Sequence, residues 1–226
     1  MKAPDGNKLA ILNALNQGGF VSGQALGEKL GISRAAVSKH IKTLQEMGLD
    51  IFKVTGKGYC LNSQVGLLNK TQIDQHYKAL GANTADVEVH PIIDSTNSEL
   101  MRRIQAKTAL ESGTVIVAEM QQAGRGRRGR VWQSPFGANL YYSYFWRLDD
   151  GLQAAMGVSI AVGLAVYDAI KALYQVDVEL KWPNDIYINK QKLAGVLVEL
   201  DGQPQLIHPL QLEARHLSAK NNCNTN

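Results

Sequence analysis

Residues 121–146 read QQAGRGRRGRVWQSPFGANLYYSYFW: glycines alternating with arginines, a turn, then an apolar, aromatic-rich run. Gly124-x-Gly126-x-x-Gly129 formally matches the dinucleotide fingerprint, but that motif opens a helix. Here Ser134-Pro135-Phe136-Gly137 spells a turn and residues 139–146 a strand. A doubly wound nucleotide fold is therefore set aside. The glycines let the backbone adopt positive φ and approach a ligand closely. Arg125, Arg127, Arg128 and Arg130 offer planar guanidinium forks suited to phosphate or carboxylate, and successive backbone N–H groups add partial positive charge. Taken alone, the loop leaves three readings open: a small-anion cradle, a basic loop contacting nucleic acid, or a solvated charged loop.

Outward from the loop, residues 114–119 form a strand that delivers the chain into it. Residues 87–93 form an earlier strand, followed by Asp94-Ser95-Thr96-Asn97 and a helix running towards Leu110. Thr96-x-x-Glu99 matches a capping box. A helix start just past a strand is also a common place for polar ligand contacts. Capping accounts for Thr96 and Glu99 but leaves the flanking Ser95 and Asn97 unexplained. Beyond the loop, residues 151–174 read as a long buried helix. Strands follow at 178–181, 186–188 and 193–200, with a hairpin turn at Asn189-Lys190-Gln191-Lys192. Lys181, beside Trp182-Pro183-Asn184-Asp185, either neutralises a reacting carboxylate or phosphate or is a solvated edge lysine. Mostly strand with two helices implies a mixed sheet, hence an α+β domain.

The first sixty residues follow a different pattern. Residues 8–16 are helical and end at Gly18-Gly19; Ser22 caps a second helix stopped by Gly31, and Ser33 caps a third stopped by Gly48. Val37, Ile41 and Leu44 share one face of the third helix, which leaves Arg34, Ser38, Lys39 and Lys42 towards solvent. Residues 51–54 and 59–61 flank the glycine turn Thr55-Gly56-Lys57-Gly58. Three helices and a hairpin make a winged helix-turn-helix. Its third helix is placed for a DNA major groove, with Lys53 and Lys57 for phosphates. The competing reading is a small helical interaction domain with solvated charges. His40 reads as a surface or phosphate-contacting residue, since no partner stands at metal-ligand spacing.

Composition narrows the class. At 45% hydrophobic and 19% charged residues, the chain has enough apolar material for a real core. A net charge of +4 permits an anionic partner without requiring one. Cys60 and Cys223 make neither a zinc spacing nor a disulfide framework. The apolar run 154–173 is interrupted by Ser159, Asp168 and Lys171, so it reads as a core helix rather than a membrane span. With no signal-peptide pattern, a reducing cytoplasmic location is expected.

Together, DSTN at 94–97, QQAGRGRRGR at 121–130, SPFGANLY at 134–141, KWPNDIY and KLAGVLVEL between 181 and 200, and SRAAVSKHI at 33–41 resemble the bifunctional biotin–protein ligase and biotin operon repressor family. The resemblance covers nearly everything to residue 200. It implies a class II synthetase-like catalytic domain that joins biotin to ATP with Mg²⁺ assisting. The resulting biotinyl-5′-AMP passes biotin to a lysine of biotin carboxyl carrier protein. By similarity, Ser95, Thr96 and Asn97 line the biotin pocket. Gln121, Gly124, Arg125, Gly126 and Arg127 belong to the loop that folds over biotin and adenylate. Lys181 contacts carboxylate and α-phosphate, making Lys181, Arg125 and Arg127 the expected catalytic cations. No protein-held metal is expected. The resemblance further implies an adenylate-bound homodimer that represses the biotin operon by binding operator DNA, and no membrane partner.

The expected partition is a DNA-binding winged helix at 1–63, a connector at 64–83, a catalytic domain at 84–203 and a divergent tail at 204–226. Val131 stands where the family often carries lysine or arginine. After about residue 203 the resemblance stops, which reads as a frameshift or truncation. The catalytic fold would then lack its C-terminal part, including a sheet strand, and expose an apolar edge. That expectation makes a non-catalytic biotin-sensing or DNA-binding remnant the alternative function.

Overall fold

The computed structural model describes residues 6–81, 86–126, 130–147, 157–182 and 184–199, and the backbone alone of 206–207 and 211–215. The chain divides into two compact units. One contains residues 1–67 with 135–138 and 217–226; the other contains residues 68–134 and 139–216.

In the first unit, helices α1 (Gly6–Asn16), α2 (Gly23–Leu30) and α3 (Arg34–Glu46) precede a hairpin of β1 (Ile51–Val54) and β2 (Gly58–Leu61). The caps are those expected from sequence. Ser22 Oγ accepts from Ala25 N at 3.0 Å and Ser33 Oγ from Ala36 N at 3.1 Å. Gly31, at φ 64°, closes α2 in the left-handed region. Ile11, Leu12, Leu15, Leu26, Val37, Ile41 and Leu44 are buried. In the antiparallel hairpin Ile51 faces Leu61 and Val54 faces Gly58. Val21 exchanges two backbone hydrogen bonds with Tyr59, at 2.8 and 2.9 Å. A Cβ on Gly58 would stand 2.3 Å from Val21 O, and its φ is 113°, so only glycine fits there. This is a winged helix-turn-helix.

The second unit is built on a seven-stranded sheet ordered β3-β4-β5-β11-β9-β8-β7. Its strands are β3 (Val87–His90), β4 (Val115–Ala118), β5 (Asn139–Tyr144), β7 (Glu179–Lys181), β8 (Asp185–Ile188), β9 (Gln191–Leu197) and β11 (Gln211–Arg215). Only β3 and β4 run parallel, joined through α5 (Thr96–Gln105); the other pairings are antiparallel, so the sheet is mixed. Alternation along β4 serves two cores. Val115 and Val117 pack with Val87, Leu68, Ile73 and Tyr77, while Ile116 packs with Leu100, Phe145, Ile93 and Ile104. Asn189 and Lys190 both have positive φ, at 47° and 63°, in the tight turn that joins β8 to β9.

Three expectations change. The segment expected to be only a connector, 64–83, contains a full helix, α4 (Lys70–Ala79), capped by Asn69, whose Ile73 and Tyr77 pack on the sheet. The long helix is α6 (Val158–Tyr174), and it is not buried all round. Val166, Tyr167 and Ile170 meet the β8–β9 hairpin, whereas Ile160 and Leu164 are 44% and 48% exposed. Residues 151–156 lie outside the described residues. The tail, read as divergent and leaving the sheet short of a strand, contributes β10 (Leu206–Ile207), which pairs with β6 (Trp146–Arg147), and β11. β11 lies between β5 and β9, so the sheet does not lose its partner strand there. The period-two pattern in Gln211-Leu212-Glu213-Ala214-Arg215 is the sequence signal for it. Among the described residues no helix is long and apolar enough to cross a membrane.

Candidate functional site

The start of α5 sits at the end of the β3 segment, next to the chain leaving β4. Ile93 and Gln121 form a parallel bridge, and Gln122 N and Ala123 N donate to Ile93 O and Asp94 O. These bonds place Ser95, Thr96 and Asn97 against Gln121. Ser95, Thr96 and Asn97 are fully buried, and Gln121 is nearly so. The helix cap is Ser95, not Thr96: Ser95 has extended backbone, and its Oγ accepts from Ser98 N at 3.3 Å. Thr96 is thereby freed from capping. Its N–H donates to Gln121 Oε1 at 2.8 Å, and its hydroxyl lies 3.1 Å from the same oxygen and 2.7 Å from Ser143 Oγ. Glu99, the expected capping-box partner, instead pairs with Arg102 and Arg103.

Asn97 connects this cluster to the arginine loop. Its Nδ2 donates to Glu199 Oε2, and Arg125 Nη2 reaches that same oxygen at 2.9 Å. Residues from three distant motifs thus meet at one carboxylate. Asn97 Oδ1 and Ser134 Oγ are buried without a hydrogen-bond partner among the described residues. Leaving a buried polar atom unsatisfied costs ~1–3 kcal/mol. A ligand bearing N–H and C=O groups would relieve that cost.

The arginine loop closes on itself at a paired neck. Gly126 N donates to Arg130 O at 2.8 Å and Trp132 N to Gly124 O at 2.9 Å, with Arg125 bridging Val131. Arg127, Arg128 and Gly129 lie outside the described residues. Neither Gly124 nor Gly126 has positive φ, so of the two expected reasons for glycine only close approach applies to them. A Cβ on Gly124 would stand 2.9 Å from Ser134 Oγ and 3.0 Å from Gln121 Nε2. One on Gly126 would lie 3.4 Å from the Trp132 ring. That ring also faces Gly195 and lies 4.9 Å below Lys192 Nζ, which is held by Asp185 at 2.8 Å. Val131 is exposed.

Lys181 is exposed at the end of β7, its ammonium 5.2 Å from the Tyr187 ring centroid. Among the described residues no hydrogen bond joins it to Arg125 or Asn97. In the first unit Arg34, Ser38, Lys39 and Lys42 are exposed along α3. Lys53 and Lys57 are exposed on the hairpin, their ammoniums 5.8 and 5.5 Å from the Tyr59 and Phe20 ring centroids.

Around the site, carboxylates are tied to α5. The Arg102 guanidinium, helped by the Ser95 N–H, holds Asp94 below its usual range. Arg103 does the same to Glu88. Burial pushes Glu99 upward, but bonds from Arg102 and Arg103 outweigh it and leave the group low. Glu119 is the exception: burial raises it, against a single backbone donor, Leu68 N at 2.5 Å. Among the described residues no cluster of three His, Cys, Asp or Glu side chains could hold a metal ion.

Sequence reading missed Glu199, Ser143, Ser134 and Trp132. Two of them carried a signal. Glu199 is the lone charge in Val196-Leu197-Val198-Glu199-Leu200, and Ser143 the lone small polar residue in an aromatic strand. A polar group set in an apolar run needs a partner.

Known proteins place these motifs in context. Residues 89–208 match the model of the biotin/lipoate A/B protein ligase family, a few residues beyond the expected limit of the resemblance, and residues 7–60 match an HTH domain. The chain is 50% identical over 196 residues to the bifunctional ligase/repressor BirA of Escherichia coli, covering 86% of this chain and 58% of that one. It is 34% identical to BirA of Bacillus spizizenii over 85% of this chain and 59% of that one. It therefore spans a little under three-fifths of the length of these relatives. A solved biotin protein ligase from Aquifex aeolicus in complex with biotin and ATP aligns at 30% identity and TM-score 0.48, over 59% of this chain and 54% of that one. With over half its residues inside the ligase model and an HTH domain ahead of them, the chain belongs to the biotin/lipoate A/B protein ligase family.

Proposed function

We propose that this protein is a biotin–[acetyl-CoA-carboxylase] ligase that also represses transcription of the biotin operon. The observation that carries the ligase reading is the buried Ser95-Thr96-Asn97 cluster, whose Asn97 has an acceptor unmet among the described residues and shares the Glu199 carboxylate with Arg125 of the arginine loop. The buried polar atoms suit biotin's ureido ring. Arg125, Arg127 and Lys181 are the cations for its carboxylate and the α-phosphate of ATP.

In the first step a biotin carboxylate oxygen bonds to the α-phosphorus, the bridging P–O bond breaks, and pyrophosphate leaves. In the second, the lysine amine of biotin carboxyl carrier protein attacks the acyl carbon. AMP departs with the electron pair of the anhydride bond, and the amine loses a proton. Arg125, Arg127 and Lys181 stabilise charge gathering on the phosphoryl oxygens. Gln121, Gly124 and Gly126 shape the loop so that it lies close over the adenylate and excludes water. The described side chains offer no cage for Mg²⁺, so no step is assigned to it; triphosphate oxygens are its natural ligands.

Residues 1–63 are the DNA-binding part; the ligase part, expected at 84–203, also takes in α4 from the connector 64–83 and β11 from the tail 204–226. Arg34, Ser38, Lys39, Lys42, Lys53 and Lys57 face operator DNA. Two winged helices of an adenylate-bound homodimer suit a palindromic operator. The reaction places the protein in the cytoplasm, where ATP and carrier protein are found.

Incubation with biotin, Mg-ATP and a carrier domain should label one carrier lysine. Tight biotin binding without transfer would instead support a biotin-sensing regulator. Operator binding with neither would support a DNA-binding remnant, and a gel shift unchanged by biotin and ATP would count against the corepressor arm.

A further inference from the structure

Glu199 belongs to none of the ligand-contacting sets assigned above, yet its carboxylate touches two members of them. Oε2 accepts from Asn97 Nδ2 and from Arg125 Nη2 at 2.9 Å. A carboxylate paired with arginine accepts and does not donate. The Asn97 amide must therefore present its nitrogen to Glu199, and Oδ1 is left buried with no partner among the described residues. An asparagine free of such a neighbour could turn over and offer an N–H instead.

We infer that Glu199 is a positioning residue that fixes the polarity of the Asn97 amide, and so makes the site select a ligand that brings an N–H to Asn97 Oδ1. The inference deepens the biotin reading and rests on it. It assigns Asn97 an obligatory acceptor role, with one ureido N–H of biotin as its donor. A ligand presenting a ring oxygen at that point would set two acceptors face to face. Sites built to hydrogen-bond a particular N–H reject analogues lacking it far more strongly than sites that differ only in shape.

The test compares the full chain with Glu199→Gln. Gln keeps the size but can both accept and donate, so the Asn97 amide is no longer held one way. Equilibrium titrations use biotin and the two cyclic carbamates in which one or the other ureido N–H is replaced by oxygen. The unaltered chain should prefer biotin over one of the carbamates by ~100-fold or more, and E199Q should narrow that preference to about tenfold or less. A merely structural role would weaken all three ligands equally; an unchanged ratio overturns the inference. If the unaltered chain binds no biotin, the ligase reading fails first and takes this one with it. If it binds biotin with no preference over either carbamate, only the role of Glu199 and Asn97 falls.

A ligand-free measurement covers the case in which E199Q does not fold. In the ¹⁵N-labelled unaltered chain, one Asn97 side-chain amide proton should be shifted downfield and protected from exchange. Exchange as fast as that of an exposed amide would overturn the inference.

Discussion

Thr96 and Ser143, 47 positions apart in sequence, bring their hydroxyl oxygens to 2.7 Å with both residues fully buried. Thr96→Val keeps the shape but removes the hydroxyl, leaving Ser143 Oγ without this partner and Gln121 Oε1 with one donor fewer from Thr96. Urea denaturation should show a loss of ~1–3 kcal/mol, with biotin affinity falling alongside. An unchanged midpoint would mean that the hydroxyl pair contributes nothing.

Gly124→Ala should harm binding more than folding. The backbone at Gly124 is ordinary, so strain is not the issue; the new methyl would press on Ser134 Oγ at 2.9 Å and Gln121 Nε2 at 3.0 Å. Displacement of Gln121 should weaken biotin binding roughly tenfold, since small misplacements in a site are costly, with little change in thermal stability. Equal losses in both would point to a structural defect instead.

Glu119 gives the fold a pH dependence of defined sign. Burial raises its folded value above 4.5, only partly countered by the Leu68 N–H. A raised acid contributes stability that is fully present below the unfolded value and lost as pH rises through the folded one. Glu119→Gln should therefore gain stability relative to the unaltered chain on going from acid to neutral pH. Parallel urea midpoints across that range, with a constant gap, would rule this out.

Replacing Lys39, Lys42, Lys53 or Lys57 by alanine should weaken binding to operator and random DNA alike. Each lysine–phosphate pair removed should flatten the slope of log affinity against log salt by ~0.9. Filter-binding or anisotropy titrations at several salt concentrations measure that slope. A variant set that leaves it untouched would remove these lysines from the DNA interface.

The local features were legible in sequence because their physics is local. Ser22, Ser33 and Gly31 stand at helix ends where caps and left-handed closures belong, and Gly58 lies at the turn that needs it. The site was legible in part. Ser95, Thr96, Asn97, Gln121 and Arg125 are brought together, but Lys181 makes no described contact with them and Arg127 lies outside the described residues. The choice between Ser95 and Thr96 as cap turned on a non-local competitor, because Thr96 is claimed by Gln121 and Ser143. Glu199 escaped for the same reason: its partners lie 102 and 74 positions away. The α4 segment reads as a mixed, weakly helical connector and the β11 segment as tail without a clear strand pattern, although Ile73 with Tyr77 and Leu212 with Ala214 carry periods that a sheet can use.

The paired neck of the arginine loop has a thermodynamic consequence. Joining the ends of a floppy segment costs entropy that grows with its length. Here Gly124 and Trp132 are already stapled together by backbone bonds, as are Gly126 and Arg130. The chain settles most of that entropy when it folds, before any anion arrives. Arg125 and Arg130, both within the staple, are thereby carried on backbone whose closure is already settled by folding.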